Sequence, residues 1–220
     1  MLVYLNGEYV DSSRALVSVD DRGFLFGDGV YEVTRALRGR QFEAGRHVQR
    51  LRRGLAGLDL RWPFAHDDEP VEIGERLLRE NGLADRDATV YLQVTRGAAP
   101  RTHHFPPADT APTVYLATRP FSAPQELRAR GADAITHPDL RWARCDLKTV
   151  NLLPNVLAKQ AAASVGAFEA VFVRDGMVTE GANTNVWVVA DGVARTHPTT
   201  HAIEGKVAKF KSLHEPRAVE

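Results

Sequence analysis

Lys148 is the residue in this chain whose type most clearly indicates a catalytic role. Residues 1–205 contain two lysines, Lys148 and Lys159, against twenty-two arginines. Because arginine supplies nearly every cation in this range, a retained lysine is a candidate for a reaction that a guanidinium cannot perform. A lysine amine can lose its proton and attack a carbonyl carbon, so Lys148 is a candidate for Schiff-base formation. Lys159 lies within the helix predicted to follow and is expected to be a surface residue.

A second group of reactive side chains lies in the segment 96–112, which reads RGAAPRTHHFPPADTAP. Its glycine, proline, arginine and histidine content and its length predict a functional loop. A metal site at His103 and His104 is not predicted, because no carboxylate or third histidine falls at ligand spacing nearby. Cys145, the only cysteine, lacks a partner signature for nucleophilic catalysis and is expected to pack.

The composition is that of a globular protein with balanced charge. The chain has 220 residues, 44% of them hydrophobic, with 28 Lys plus Arg against 28 Asp plus Glu. Nothing in this balance indicates nucleic acid binding, and no apolar run is long enough to span a membrane. Residues 1–7 lack the basic start and apolar core of a signal peptide. One cysteine excludes an internal disulfide framework, so a cytoplasmic location is expected.

Turn signals and periodicity predict the elements that must position these residues. Asn6-Gly7, Asp175-Gly176 and Asp191-Gly192 each separate two short apolar runs, which predicts three hairpins. Apolar residues at helical spacing predict helices, and alternating apolar residues predict strands. The predicted helices span 44–60, 71–81 and 151–165, and the predicted strands span 89–95, 113–118 and 132–136. Pro154 falls in the first turn of the third helix, where proline is tolerated.

These elements predict an α+β fold of two lobes. The N-terminal lobe is expected over residues 1–120 and a linker over 121–126. The second lobe is expected over 127–203 and a tail of different composition over 204–220, where lysine becomes frequent. The predicted loop 96–112 belongs to the first lobe, and Lys148 lies at the entry to the second.

Five short motifs occur in an order that resembles one enzyme family. They are DRGFLFGDGVYEV at 21–33, HVQRL at 47–51, VTRGAAPRTH at 94–103, DLKTVN at 146–151 and TEG at 179–181. Together they resemble the class IV aminotransferases, pyridoxal-phosphate enzymes of fold type IV. The Arg101-x-His103 step and the run NLLPNVLAKQ at 151–160 are more similar to the D-amino-acid aminotransferases than to the branched-chain enzymes.

The resemblance implies a cofactor, pyridoxal 5′-phosphate, and three residues that hold it. Lys148 matches the lysine that binds the cofactor and moves a proton to and from the substrate α-carbon. Glu180 matches the acid that pairs with the pyridine nitrogen. Arg50 matches a phosphate-binding arginine. The plain alternatives are a turn carboxylate at Glu180 and, for Arg50, one member of a solvated arginine-rich helix face.

The resemblance also implies how substrate binds. Tyr31, Arg101 and His103 match the group that holds the carboxylate of the amino acid or 2-oxo acid. The family supplies the arginine and the histidine from a neighbouring subunit, which implies a homodimer with composite sites. The implied reaction is transamination of D-amino acids with 2-oxo acid acceptors. A branched-chain or amine transaminase, an aminodeoxychorismate-lyase-like enzyme and a non-enzymatic remnant of the family are the alternatives.

Residues 204–220 do not match the family, whose members continue well beyond the segment around Ile203 with turns that cup the cofactor phosphate. We therefore expect the second lobe to be incomplete and its strands 186–190 to keep apolar side chains partly open. The 220-residue chain is expected to fold poorly or to bind cofactor weakly through Lys148.

Overall fold

A computed structural model describes residues 1–197. An antiparallel sheet of six strands forms the N-terminal half. The strands are β1 Leu2–Leu5, β2 Glu8–Asp11, β3 Gly29–Leu37, β4 Arg40–Gln41, β5 Ala88–Thr95 and β6 Thr113–Pro120. Their order across the sheet is β2-β1-β6-β5-β3-β4. The strands predicted at 89–95 and 113–118 are confirmed as β5 and β6, whereas the nine-residue β3 was not predicted.

Two helices, α2 (Ala44–Gly57) and α3 (Glu69–Glu80), follow β4 in the chain. They confirm the helices predicted at 44–60 and 71–81, with α2 ending three residues early. Asp59, just past the end of α2, takes a φ of 53°, which a helix does not allow. The buried faces of both helices join the inward side chains of the sheet in one apolar core. Its members include Leu51, Leu55, Ile73, Leu77, Leu78, Val90, Leu92 and Leu116.

A short helix, α1 (Arg22–Phe26), leads into β3 and was not predicted. The Asp21 side chain caps its start by accepting a 2.8 Å hydrogen bond from the Gly23 amide. Gly27 ends it with a φ of 68°, the left-handed conformation that glycine adopts without strain. The same Asp21 carboxylate accepts hydrogen bonds from Thr95 and Thr113, so α1 is fixed to the ends of β5 and β6.

The C-terminal half contains a smaller sheet and one long helix. The strands are β7 (Ala134–Pro138), β8 (Glu169–Arg174) and β9 (Met177–Gly181). β7 runs parallel to β8, and β8 runs antiparallel to β9. Helix α5 (Leu153–Ser164) packs Ala158 and Ala162 against Phe172 of β8 and confirms the helix predicted at 151–165. A short helix, α4 (Gln125–Arg130), connects the two halves, and β10 (Val188–Ala190) pairs with β11 (Val193–Arg195).

All three predicted hairpins are confirmed. Leu5 pairs with Glu8, Arg174 with Met177, and Ala190 with Val193, so each loop has two residues. Both residues of every loop have a positive φ, for example 50° at Asn6 and 99° at Gly7. This conformation matches the twist of the flanking strands, which explains why Asn-Gly and Asp-Gly predict it well.

The Lys148 segment joins the two halves. The Tyr31 amide donates to the Lys148 carbonyl at 3.0 Å, and the Val150 amide donates to the Gly29 carbonyl at 3.1 Å. Val30 and Thr149 form an isolated bridge between these two bonds. Strand β3 therefore fixes the main chain around Lys148, and a cleft lies between the sheets at this junction.

The mixture of sheets and helices confirms the α+β class. The bounds 1–120, 121–126 and 127–203 stay predictions, and the tail at 204–220 lies outside the described residues. Val188 and Val189 of the last hairpin are 58% and 57% exposed, as expected for strands with an open apolar face. Within residues 1–197, every helix is too short or too polar to cross a membrane.

Candidate active site

A cleft of about 890 Å³ opens at the junction of the two halves. Its walls come from β3, α2, the Lys148 segment, α5 and the residues around the end of β9. Four of the six predicted site residues line it: Tyr31, Arg50, Lys148 and Glu180. Small-molecule sites occupy about 300–1,000 Å³, so the cleft is large enough for a cofactor with a small substrate.

Tyr31 and Lys148 are in direct contact on the cleft wall. Lys148 Nζ donates a 3.1 Å hydrogen bond to Tyr31 Oη and lies 4.2 Å from the centre of the tyrosine ring. The Tyr31 ring stacks on Tyr91 at 5.8 Å. Burial raises the pKa of Tyr91 to about 12, with a smaller contribution from Tyr31. The lysine amine is therefore held at a defined place by a tyrosine that is itself packed.

Arg50 faces the cleft from α2 and is bound by a buried carboxylate of β3. Its Nε and Nη2 atoms donate to the two oxygens of Glu32 at 2.6 and 2.7 Å, and His47 Nδ1 lies 2.7 Å from the same group. Burial alone favours a higher pKa for Glu32, but the hydrogen bonds from Arg50 and His47 outweigh it and lower that pKa. The Arg50 side chain is 10% exposed, against 59% for Arg46, so Arg50 does not belong to a solvated helix face.

Glu180 is buried near the end of β9, where Arg141 contacts its carboxylate. Arg141 also donates two hydrogen bonds of 2.8 Å to Asp139, which accepts a third of 2.9 Å from Thr179. Burial alone favours a higher pKa for Asp139, but the hydrogen bonds and charge of Arg141 outweigh it and lower that pKa to about 2. Asp139 thus holds the Arg141 guanidinium in a position where it also contacts the Glu180 carboxylate.

Lys159 is a second amine that lines the same cleft, and its side chain keeps the exposure expected of a surface residue. Its side chain is 36% exposed, and its Nζ atom lies 3.3 Å from Glu169 and contacts the Phe168 carbonyl. The helical period explains its place, because Lys159 lies four residues after Asn155 on the same face of α5, and both side chains line the cleft. Lys159 is paired to a buried carboxylate, whereas Lys148 donates a hydrogen bond to the Tyr31 hydroxyl.

Arg101 and His103 do not line this cleft. They lie on the loop between β5 and β6, and both side chains are exposed. Each contacts Phe26 of α1: the Arg101 guanidinium carbon lies 5.2 Å from the centre of the Phe26 ring, and the His103 ring lies 5.6 Å from it. Within one chain, the six predicted site residues therefore form two groups.

Several residues of the site were missed from the sequence. Glu32 and Arg141 were missed because their partners lie far away in the sequence, at Arg50 and Glu180. The only local signal was the charge of Glu32, which occupies an inward position of β3. The cleft also has a rim of amide and hydroxyl side chains: Asn155, Asn183, Thr184 and Asn185. Within residues 1–197, no three His, Cys, Asp or Glu side chains are grouped so as to hold a metal ion.

A family profile decides the relationship. The profile described as "Amino-transferase class IV" matches residues 29–205, a range that includes all six candidate site residues from Tyr31 to Glu180. The chain belongs to the class IV aminotransferases. The resemblance drawn from the order of the motifs is thereby confirmed.

Curated relatives of this class IV aminotransferase include two bacterial D-alanine aminotransferases. The enzyme of Staphylococcus epidermidis is 44% identical over 203 residues, which cover 91% of this chain and 70% of that protein. The enzyme of Bacillus licheniformis is 41% identical over 219 residues, which cover 97% of this chain and 74% of that protein.

Solved structures confirm the fold type of this class IV aminotransferase. A hypothetical aminotransferase of Mycobacterium tuberculosis in its PLP-bound form superimposes with a TM-score of 0.78 at 26% identity, over 93% of this chain and 74% of that one. The branched-chain amino acid aminotransferase of Escherichia coli gives a TM-score of 0.79 at 26% identity, over 93% of this chain and 70% of that one.

Proposed function

We propose that this chain catalyses the pyridoxal-phosphate-dependent transfer of the amino group of D-amino acids to 2-oxo acids. The observation that carries the proposal is the convergence of Lys148, Glu180 and Arg50 on one cleft. An amine, a buried carboxylate and a guanidinium are the three groups that the aldehyde, the ring nitrogen and the phosphate of this cofactor require. The residues present therefore fit the cofactor.

Each residue has a role that its surroundings support. Lys148 would hold the cofactor through Nζ and, once the substrate amine has displaced Nζ from that bond, its free amine would take the proton from the substrate α-carbon. Tyr31 Oη accepts a hydrogen bond from Nζ and so orients this amine. Glu180 pairs with the ring nitrogen, and Arg141 holds its carboxylate in place. When bound, pyridoxal phosphate supplies an electron sink for the pair released from the α-carbon.

Arg50 is proposed to bind the phosphate, even though Glu32 already holds it. A guanidinium presents its N–H donors as a planar fork, and the two hydrogen bonds to Glu32 hold that fork at the cleft. The carboxylate fixes the plane of the fork, which reduces the entropy lost when a phosphate oxygen is bound.

Recognition of the substrate carboxylate is assigned to Tyr31, Arg101 and His103. Because Arg101 and His103 lie away from the cleft of their own chain, the proposal requires a homodimer in which each chain supplies them to its partner's cleft. The D-alanine aminotransferases at 44% and 41% identity support the D-amino-acid substrate over the branched-chain one, whose Escherichia coli representative is 26% identical.

The test of the reaction is the visible absorption spectrum of the 220-residue chain, loaded with pyridoxal 5′-phosphate and desalted. We expect D-alanine to remove the long-wavelength cofactor band and to yield pyruvate, and 2-oxoglutarate to restore the band. L-Alanine and L-leucine are expected to leave it unchanged. A response to L-leucine alone would replace the D-amino-acid proposal with a branched-chain one. The cofactor retained per chain also tests the expectation of weak binding, which stoichiometric retention would contradict.

The composite site is tested by mixing two inactive variants, Lys148→Ala and Arg101→Ala. In a mixed dimer one site carries both substitutions and the other carries neither. Random exchange makes about half of the dimers mixed, so we expect about a quarter of the wild-type activity to return. If no activity returns although mass measurement shows mixed dimers, Arg101 acts within its own chain and the composite site is wrong.

A further inference from the structure

The aromatic ring of Phe26 contacts both Arg101 and His103, the two predicted site residues that do not line the cleft. Phe26 of α1 lies 5.2 Å from the Arg101 guanidinium and 5.6 Å from the His103 ring, and a third group, the Arg22 guanidinium, lies 4.7 Å from it. Cations are attracted to an aromatic face within about 6 Å of its centre, and two rings at about 5–7 Å make a favourable contact. The position of Phe26 therefore affects where both Arg101 and His103 point.

Arg22 holds the main chain at Thr102, between Arg101 and His103. Its Nη1 atom donates a 2.7 Å hydrogen bond to the carbonyl of Thr102, and its Nε atom donates 2.9 Å to Asp28. The Arg22 side chain is 4% exposed. A buried guanidinium is stable only when it is paired and hydrogen-bonded, and here one of its bonds goes to the peptide unit that joins Thr102 to His103.

The start of the same loop is bound to the same region. The Arg22 amide donates to the Gly97 carbonyl at 2.9 Å, and the Ala99 amide donates to the Asp20 carbonyl at 3.2 Å. Arg96 completes the arrangement with a 2.7 Å ion pair to Asp28. The loop is thus held on both sides of Arg101, which leaves the side chain of Arg101 exposed on a fixed backbone.

We propose that Arg22 and Phe26 are positioning residues that set the orientation of Arg101 and His103 and thereby the preference for substrates with a carboxylate. This inference rests on the role of Arg101 and His103 in the proposed function. Binding of a carboxylate by a guanidinium depends on geometry, and a misplacement of about 1 Å is costly. No residue of helix α1 is among those that line the cleft of Lys148 and Glu180.

The first test needs no enzyme activity. Trypsin cleaves the bond between Arg101 and Thr102 only when the loop leaves its fixed backbone, so the cleavage rate reports the order of this loop. We expect Phe26→Leu to raise that rate by about fivefold, the effect of losing one exposed cation–aromatic contact. Arg22→Gln should raise it by at least as much, because the buried guanidinium also loses its bonds to Thr102 and Asp28. The matched control is Phe24→Leu on the same helix, because Phe24 is 76% exposed. Equal rates in the wild type and all three variants would overturn the positioning role.

The second test separates positioning from general damage. D-Alanine and D-alaninol share the amine and the methyl group, but the alcohol has no carboxylate. In Phe26→Leu, we expect the KM for D-alanine to rise about fivefold while that for D-alaninol stays unchanged. An equal change for both substrates would overturn the inference. A wild type that does not react with D-alanine would overturn the proposed function instead, and the proteolysis would still decide whether α1 orders the loop.

Discussion

Glu32 and Arg50 form an ion pair with two parallel hydrogen bonds, of 2.6 and 2.7 Å, across the junction of β3 and α2. The pair is almost fully buried, with side-chain exposures of 5% and 10%. It joins the strand that carries Tyr31 to helix α2, and both elements line the cleft. Strand β3, helix α2 and the Arg50 guanidinium are therefore held in fixed positions relative to one another.

Replacing Glu32 by Gln is expected to lower the free energy of unfolding by about 1–3 kcal/mol, because a buried guanidinium loses its charged partner. Urea unfolding at pH 7 measures this change. Glu8→Gln is the control, since Glu8 is exposed on β2. A Glu32→Gln protein as stable as the Glu8→Gln protein would show that the pair does not contribute to stability.

Asp139 predicts a specific dependence of stability on pH. Its folded pKa is lowered to about 2, below the value of about 3.9 in an unfolded chain. The stability that the ionised carboxylate contributes is therefore present above about pH 4 and is lost as the pH falls towards 2. We expect Asp139→Asn to be less stable at pH 7 and to show a shallower loss of stability between about pH 4 and 2. Asp109→Asn, on an exposed loop, should keep the wild-type slope, and an unchanged slope in Asp139→Asn would contradict the assignment.

Tyr31→Phe removes the hydroxyl that accepts a hydrogen bond from Lys148. The amine then loses its orienting contact, so we expect kcat for D-alanine to fall about tenfold while the cofactor is retained after desalting. The control is Tyr91→Phe, because the Tyr91 hydroxyl bonds to Gln93 and not to Lys148. Equal kcat values for the two variants would remove this role from Tyr31.

Glu180→Gln is expected to lower the rate with D-alanine by about 10²-fold or more, because an amide cannot keep the ring nitrogen of the cofactor protonated. The visible spectrum of the bound cofactor should also become dependent on pH near neutrality. Glu169→Gln is the matched control, a buried glutamate of the neighbouring strand that does not line the cleft. If the two variants behave alike, the effect of Glu180 is structural only.

Local signals explain what could be predicted from the sequence. The hairpin at Asn6-Gly7 and the helix that contains Pro154 depend on the conformational preferences of single residues, and both are present. The motifs placed Tyr31, Arg50, Lys148 and Glu180 without knowledge of the fold, and all four line one cleft.

Contacts between distant residues explain what could not be predicted. Strand β3 escaped notice because two of its buried positions hold Glu32 and Thr34, which break the apolar alternation of a strand. The helical period could not separate Arg50 from its exposed neighbours, since only the carboxylate on β3 distinguishes them. Similarly, nothing near Phe26 in the sequence indicates that the loop carrying Arg101 packs on its ring.

The central claim is that Lys148, and not Lys159, carries the cofactor. Borohydride reduction of the loaded chain fixes the cofactor permanently to the amine that holds it, and trypsin does not cleave after a modified lysine. A cofactor on Lys148 yields the labelled peptide 145–159, whereas a cofactor on Lys159 yields 149–174. We expect the first peptide alone in the wild type, and no label in Lys148→Ala. In Lys159→Ala the label should be kept but move to peptide 145–174, because the cleavage after residue 159 is lost. A label on 149–174, or an equal label in the Lys148→Ala protein, would contradict the assignment of Lys148 and with it the proposed reaction.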